Sequence, residues 1–404
     1  MRHRLAKKKQ CTGCGACVDN CHHGALHITY DKNGFLRPEQ NNQKCIECGA
    51  CERACPILNI AKLPFSDAQK LRHYAAWSNL EEVCQNSSSG GVFSQIAMNL
   101  LSSKDNVVVF GAEATKQNTC HHQSIVNVKE LLRITGTKYI QSNAEGSYRE
   151  AKKYLQEGRK VFYCGTPCQI AGLYATLGYK NHPNLYTADL ICHGVPSKIG
   201  ADIVTAYVGG EYIHSYRDKQ EGWCKPGLIK VSQKTTYSMP DGKLYRPEKN
   251  LFWQCFAITH RVSCTQCPFA NPYRLGDVSL GDLWGLYKQY PERGKLGASL
   301  VLANTAKGEM MLNSGEITKI EHDKAELTCY TIFYPGASRW GQLSEWLYLL
   351  KKLPIHTACH ILLLDWRKNP LLIPIKVLFR IASNLHIKHT MSAILNTKRN
   401  LGWQ

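Results

Sequence analysis

The chain has 404 residues, 44% of them apolar and 20% charged, which suits a folded globular protein of two or three domains. Its formal charge of +19 hints at nucleic acid, but the excess sits at the ends: residues 1–10 carry five Lys/Arg and no acid, and residues 351–404 carry nine against Asp365 alone. No recognition motif interleaves with those charges, so nucleic acid is excluded as a partner. The 19 cysteines are too many for a metal-free intracellular chain, and the chain is too long for a small disulfide scaffold. MRHRLAKKKQ runs straight into CTGCGAC with no apolar stretch, so no secretory signal is visible. A cytoplasmic, oxygen-avoiding setting is expected, in which grouped cysteines are metal ligands.

Cys11, Cys14, Cys17 and Cys21 have the spacing C-x2-C-x2-C-x3-C, and Cys45, Cys48, Cys51 and Cys55 repeat it, displaced by 34 residues. Gly15-Ala16 recurs as Gly49-Ala50. Three thiolates from one tight loop cap three irons of a cube, while the fourth cysteine ligates the other cluster. This predicts a bacterial-type ferredoxin fold over residues 1–62 with two 4Fe-4S clusters. Cys11, Cys14, Cys17 and Cys55 would hold one, and Cys45, Cys48, Cys51 and Cys21 the other. Zinc would want paired C-x2-C units without a third cysteine in each run. Pro56 follows Cys55, but His22 stands where the first run should have its proline, which weakens a turn and not the ligation.

After the linker NIAKLPFSDAQK (59–70), strand and helix signals alternate from about residue 72, predicting an α/β body. VFSQIAMNLL (92–101) and SYREAKKYLQ (147–156) have helical spacing; VVVF (107–110), KVFYC (160–164) and ADLIC (188–192) read as buried strands. No G-x-G-x-x-G follows a strand and no P-loop occurs, so an ordinary Rossmann site is not indicated. Four motifs stand out. SSSGG (87–91) precedes the first helix, where serines would cap it and glycines would let amides face an anion; a plain flexible cap fits as well. CGTPCQIAGL (164–173) places Thr166 as N-cap, Pro167 at the first helical position and Cys168 in the first turn, where the dipole favours a thiolate. In DLICHGVPS (189–197), Cys192 stands at the carboxyl end of a strand, with His193 as proton donor, ligand orienter or structural hydrogen-bonder. RVSCTQCPFANPYRLGDVSLGDLWG (261–285) carries Cys264 and Cys267, which Cys168 and Cys192 complete to a third four-cysteine site. Lys138 in TKYIQS is a phosphate or flavin contact, or a solvated lysine. Cys84, Cys120, Cys164, Cys224, Cys255, Cys329 and Cys359 read as plain thiols.

In order and together, these motifs resemble the beta subunit of coenzyme F420-reducing hydrogenases and dehydrogenases, in the bacterial branch with a fused N-terminal ferredoxin; the match covers about residues 8–290. The resemblance implies an α/β flavin-binding reductase domain over 72–345, with FAD near Ser88, Ser89, Gly90, Gly91, Lys138, Gln141 and Thr166. It also implies a third 4Fe-4S cluster on Cys168, Cys192, Cys264 and Cys267; beside Cys192, His193 is the residue chosen as catalytic proton donor. Thr137 replaces the usual serine before Lys-Tyr. The implied function is an oxidoreductase that passes electrons from ferredoxin or a partner subunit through the clusters to FAD and on to a small hydride acceptor, coenzyme F420 or a polysaccharide-pathway substrate. The alternative is an electron-carrier subunit with no catalysis of its own. Residues 346–404 form a basic extension in which Lys376, Arg380, Asn384 and Lys388 would stripe one helical face. Broken by charges and Pro374, it is no membrane span; peripheral contact with the inner membrane face or with a partner is the expectation.

Overall fold

The computed structural model describes residues 5–67, 71–208, 210–219, 222–223, 230–231, 259–283, 290–322 and 352. The basic extension apart from Lys352, the Trp284-Gly285 end of the last motif, and Cys224, Cys255, Cys329 and Cys359 lie outside the described residues.

The sequence repeat is a structural repeat. Gly15 and Gly49 stand at φ +88° and +71°, each opening a four-residue helix, Ala16–Asp19 and Ala50–Arg53. A Cβ at Gly15 would meet nothing nearer than 3.7 Å, so it is the left-handed backbone and not crowding that asks for glycine there. Between the two halves, β1 (Leu26–Tyr30) and β2 (Leu36–Gln40) form an antiparallel hairpin with Leu26 opposite Gln40.

The body is built on a mixed nine-stranded sheet of order β13-β3-β12-β11-β8-β7-β4-β5-β6. Its strands are β3 (Arg72–Ser78), β4 (Val107–Thr115), β5 (Thr119–Ile125), β6 (Ser142–Asn143), β7 (Lys160–Gly165), β8 (Leu185–Leu190), β11 (Val278–Asp282), β12 (Ser299–Ala303) and β13 (Ile317–Glu321). Ile213–Ser215 and Lys230–Val231, β9 and β10, make a separate two-stranded ribbon. At the centre β11, β8, β7 and β4 run parallel, with Val278 opposite Ala188, Val161 opposite Leu185 and Val107 opposite Lys160. Strands buried on both faces read as unbroken apolar runs, which is why VVVF and KVFYC carry no polar alternation. ADLIC is displaced from its expected position: β8 starts three residues earlier and ends at Leu190, so Cys192 stands past the sheet edge.

Helices α1 (Val92–Leu101) and α2 (Ser147–Gln156) fill the ranges expected of them. α3 (Pro167–Thr176) and α4 (Lys198–Val208) follow β7 and β8. One face of the sheet buries Ile96, Val109, Phe162 and Val301; the other packs Phe110, Tyr163, Ile170 and Leu173 beneath Tyr148.

The ferredoxin-like segment and the body belong to one compact unit, Met1–Cys359. Asp19, fully buried, supplies the N-terminal cap of α2 from the other side of the join: its carboxylate accepts from the N–H groups of Gly146 (2.6 Å), Tyr148 (3.0 Å) and Arg149 (3.3 Å). Tyr148 Oη donates to Cys14 O at 2.8 Å, Ser197 Oγ to Asn33 O at 2.5 Å, and Tyr179 Oη to Arg53 O at 2.8 Å. The linker is itself pinned, Ser66 exchanging hydrogen bonds with Arg274. Asp19→Ala should therefore lower stability by about 1–2 kcal/mol. Hydrogen exchange would show lost protection at Gly146, Tyr148 and Arg149, with iron content unchanged; retained protection there would rule out the cap.

Candidate functional site

A cavity of about 370 Å³ opens at the carboxyl edge of the parallel strands. That lies within the ~300–1,000 Å³ usual for small-molecule sites, at the sheet edge where open α/β folds bind ligands. Ser88, Ser89, Gly91, Lys138, Gln141, Thr166 and His193 all line it, as do Cys168 and Cys192. Gly90 stands behind the wall: its N–H donates to Ser299 Oγ at 3.0 Å, and a Cβ there would approach Ala76 O to 2.6 Å.

The SSSGG loop is arranged differently from the sequence expectation. The N-cap of α1 is Gly91, at φ +81°, and no serine side chain caps the helix. The serines staple the loop outward instead. Ser88 Oγ accepts from Thr137 N–H at 2.8 Å, Ser89 Oγ donates to Ala298 O at 2.7 Å, and Ser87 Oγ meets Ser94 Oγ at 3.2 Å. Lys219, which no motif flagged, holds the same loop by donating to the carbonyls of Cys84, Ser89 and Leu296, each at 2.6 Å. Burial lowers its pKa to about 7.

Thr166 caps α3 as expected, with Pro167 in the first turn; Gln169 Oε1 accepts from Thr166 N–H at 3.0 Å to complete a capping box. Thr166 Oγ1 lies 3.2 Å from Cys168 Sγ. Lys138 Nζ donates to Thr135 O at 2.8 Å, and burial lowers its pKa to about 8. Gln141 is committed across the join, its Nε2 donating to Thr12 O and Gly13 O at 3.1 Å each while Oε1 accepts from Arg261 Nη2.

Two further groups on the wall, Arg217 and His122, escaped the sequence reading. Arg217 donates to Asp282 Oδ2 at 2.6 Å and to Tyr139 Oη at 3.3 Å; Asp282 belongs to the GDLWG motif, but Arg217 sits in a stretch with no repeated pattern. His122 bridges Ser142 Oγ (2.7 Å) and Cys164 O (3.0 Å) while stacked on Tyr163, and burial lowers its pKa to about 4. Its neutral ring must donate from Nε2 to the carbonyl, so Nδ1 accepts from Ser142. His193 stands at the exposed rim, where partial desolvation lowers its pKa and the Asp282 charge raises it.

By the charges they feel, the cysteines group as follows. Cys14 feels the charges of Cys55 and Cys11, and Cys17 those of Cys14, Cys11 and Cys55. Cys51 feels Cys21 and Cys45, and these three line one small pocket with Cys48. Cys192 feels Cys264, Cys168 and Cys267. The neighbourhoods are also within electrostatic reach of one another in series, Cys17 of Cys51 and Cys14 of Cys168, and Cys168 packs on the buried cluster that contains Cys14. Burial raises every thiol of the third group, Cys264 to about 11 and Cys267 to about 12. At Cys168 too burial raises the thiol, against the hydrogen bond from Thr166 and the charge of Arg261. Such a set holds four negative charges only around a cationic core, and it fits a 4Fe-4S cluster on that ground. Among the described residues no three His, Cys, Asp or Glu side chains close on a single ion. Cys84, Cys120 and Cys164 are buried thiols, and none of the described cysteines is in a disulfide.

Comparison with known families adds three matches. Residues 10–58 match the 4Fe-4S dicluster domain. Residues 73–146 and 158–326 match the N-terminal and C-terminal parts of the beta subunit of coenzyme F420 hydrogenase/dehydrogenase. The chain belongs to that family. It is thus an iron–sulfur electron-transfer oxidoreductase of the F420 hydrogenase/dehydrogenase beta-subunit kind, with a dicluster domain at its N-terminus. No curated protein matches it. Among solved structures, a chain of the xenon-derivatised F420-reducing nickel–iron hydrogenase complex from Methanosarcina barkeri is similar at 17% identity, over 72% of this chain and 93% of that one, with a TM-score of 0.45. Among the described residues no helix is long and apolar enough to cross a membrane.

Proposed function

We propose that this chain is an iron–sulfur flavoprotein reductase that takes single electrons from a ferredoxin or partner subunit and delivers a hydride to a small acceptor. The observation that carries the reading is the shared wall: Cys168 and Cys192 line the same cavity as Ser88, Lys138 and Thr166, and Cys168 packs on the buried cluster that contains Cys14 of the dicluster domain.

The clusters would be held by Cys11, Cys14, Cys17 and Cys55, by Cys21, Cys45, Cys48 and Cys51, and by Cys168, Cys192, Cys264 and Cys267. FAD would be held along Ser88, Ser89, Gly91, Lys138 and Thr166. Bound together, clusters and flavin supply one-electron input and two-electron output. The chain's own residues prepare the place. Lys219 and the stapled serines fix the loop that forms one wall. The Arg217–Asp282 pair fixes a neighbouring part of the wall. Leu190, Ile191 and Leu300 keep part of the floor apolar, which strengthens the pull of Lys138 on an anionic group. His193, at the rim, would pass a proton between solvent and the acceptor. The acceptor is a coenzyme F420-like deazaflavin or a polysaccharide-pathway intermediate.

Anaerobic reconstitution with iron, sulfide and FAD tests this. About twelve irons and one flavin per chain, with the flavin bleached by reduced ferredoxin, is the expected outcome. Eight irons and no flavin would sink the reductase and leave an electron carrier.

A further inference from the structure

We infer that Arg261 is the shared counter-ion of two iron–sulfur sites, that of Cys11, Cys14, Cys17 and Cys55 and that of Cys168, Cys192, Cys264 and Cys267, and that its fixed charge raises both reduction potentials. The inference rests on the cluster assignments proposed above.

Arg261 is the largest side chain buried without residue in the described structure, at 0% exposure. Its backbone is held by Val195 O at 2.9 Å, just after the bridge pairing Pro196 with His260. The guanidinium lies over the Phe35 ring, 5.1 Å from its centroid. Nη2 donates to Leu36 O at 2.8 Å and to Gln141 Oε1, and Nη1 reaches Cys11 O at 3.3 Å. Nε is buried and finds no hydrogen-bond partner. Every acceptor it meets is neutral.

A guanidinium cannot shed its proton in a protein, so its charge must be answered from outside itself. The other buried cations of the body are answered in ordinary ways. Arg274 pairs with Asp189 and Arg217 with Asp282, both at 2.6 Å, and Lys219 sits among three carbonyls. Arg261 has no carboxylate within ion-pair reach among the described residues. Asp31, the acid whose charge it feels, is bound to Arg37 at 3.0 Å and to Lys8 at 3.6 Å. The remaining negative groups in its field are sulfurs: Cys11 on one side, Cys264 and Cys168 on the other. As thiols these are neutral. As cluster ligands they belong to bodies of net charge about −2 in the oxidised form, and the missing counter-charge is supplied from both sides.

A positive charge beside a cluster favours the form carrying one more electron, so it raises the potential. None of the contacts of Arg261 reaches Cys21, Cys45, Cys48 or Cys51, so that site serves as an internal reference.

The test is a redox titration of reconstituted protein followed by electron paramagnetic resonance, comparing wild type with Arg261→Gln and Arg261→Lys. Two of three midpoints should fall in Arg261→Gln while the third holds, and Arg261→Lys should return most of the shift. Unchanged midpoints in fully loaded Arg261→Gln, or an equal shift of all three, would overturn the proposal. Should Arg261→Gln fail to take up iron, Arg261→Lys titrated from neutral to alkaline pH decides, because a buried lysine can lose its charge: a fall confined to the same two midpoints at alkaline pH supports the counter-ion, and the absence of any such selective fall overturns it. Wild type with about eight irons would instead mean that the third cluster, and the reading beneath this one, had failed.

Discussion

Cys192→Ser should cost the protein about four of its roughly twelve irons and uncouple the cavity from the dicluster domain. Cys192 is half-buried on the loop past β8, within the electrostatic reach of Cys264, Cys168 and Cys267, and it also lines the cavity. A serine hydroxyl at that position is a poorer iron ligand than a thiolate, and the other three thiols are pushed toward their neutral forms by burial. Once the cationic core is lost, nothing keeps them ionised. The expected readout is iron content falling to about eight per chain, with reduced ferredoxin no longer bleaching bound flavin although dithionite still does. Cys164→Ser is the control: that thiol points from β7 into the cavity wall without partners in the third group, and iron should be unaffected. Full iron and wild-type flavin reduction in Cys192→Ser would remove Cys192 from the ligand set.

Asp189→Ala should be the most destabilising of the single changes, at about 3–5 kcal/mol. Asp189 and Arg274 are 0% and 2% exposed at their side chains and meet at 2.6 Å. The second carboxylate oxygen accepts from the N–H groups of Leu275 at 3.1 Å and Gly276 at 2.9 Å. The change strands a buried guanidinium and two backbone donors at once. The surface pair Arg133–Glu113 has a similar length, 2.9 Å, yet its loss should cost at most about 1 kcal/mol, since water replaces the partner. A fall in Tm on the order of 10 °C is expected for Asp189→Ala, and a change of only a degree or two would refute the argument. Because Asp189 ties the segment after Cys267 to the end of β8, iron retention at the third site should weaken in parallel.

Much of this was legible beforehand because the signals were local. The cysteine spacing and the Gly-Ala repeat encode loops whose geometry is set within a few residues, and Thr166-Pro167 encodes a helix start by itself. Helices α1 and α2 followed from apolar periodicity alone. What the sequence hid are long-range partners. Arg261 and Gln141 meet across 120 positions, Lys219 and Ser89 across 130, and Asp19 caps a helix 127 residues on. Nothing in a local pattern distinguishes a buried arginine from an exposed one. The SSSGG serines misled for a related reason: serine before a helix normally caps it, but here glycine at positive φ turns the chain so that the hydroxyls reach neighbouring loops. Nor does the linker's composition say anything of Ser66 meeting Arg274.

The cap that Asp19 places on α2 has a consequence for how the machine runs. Many redox proteins shuttle a small carrier domain between docking sites, and their turnover slows as the solvent thickens. Here the dicluster domain's own carboxylate is part of the foundation of the α/β body, so swinging it away would unmake a helix start. The wiring is soldered. Electron delivery inside this protein should be indifferent to viscosity, and whatever diffuses must do so outside it.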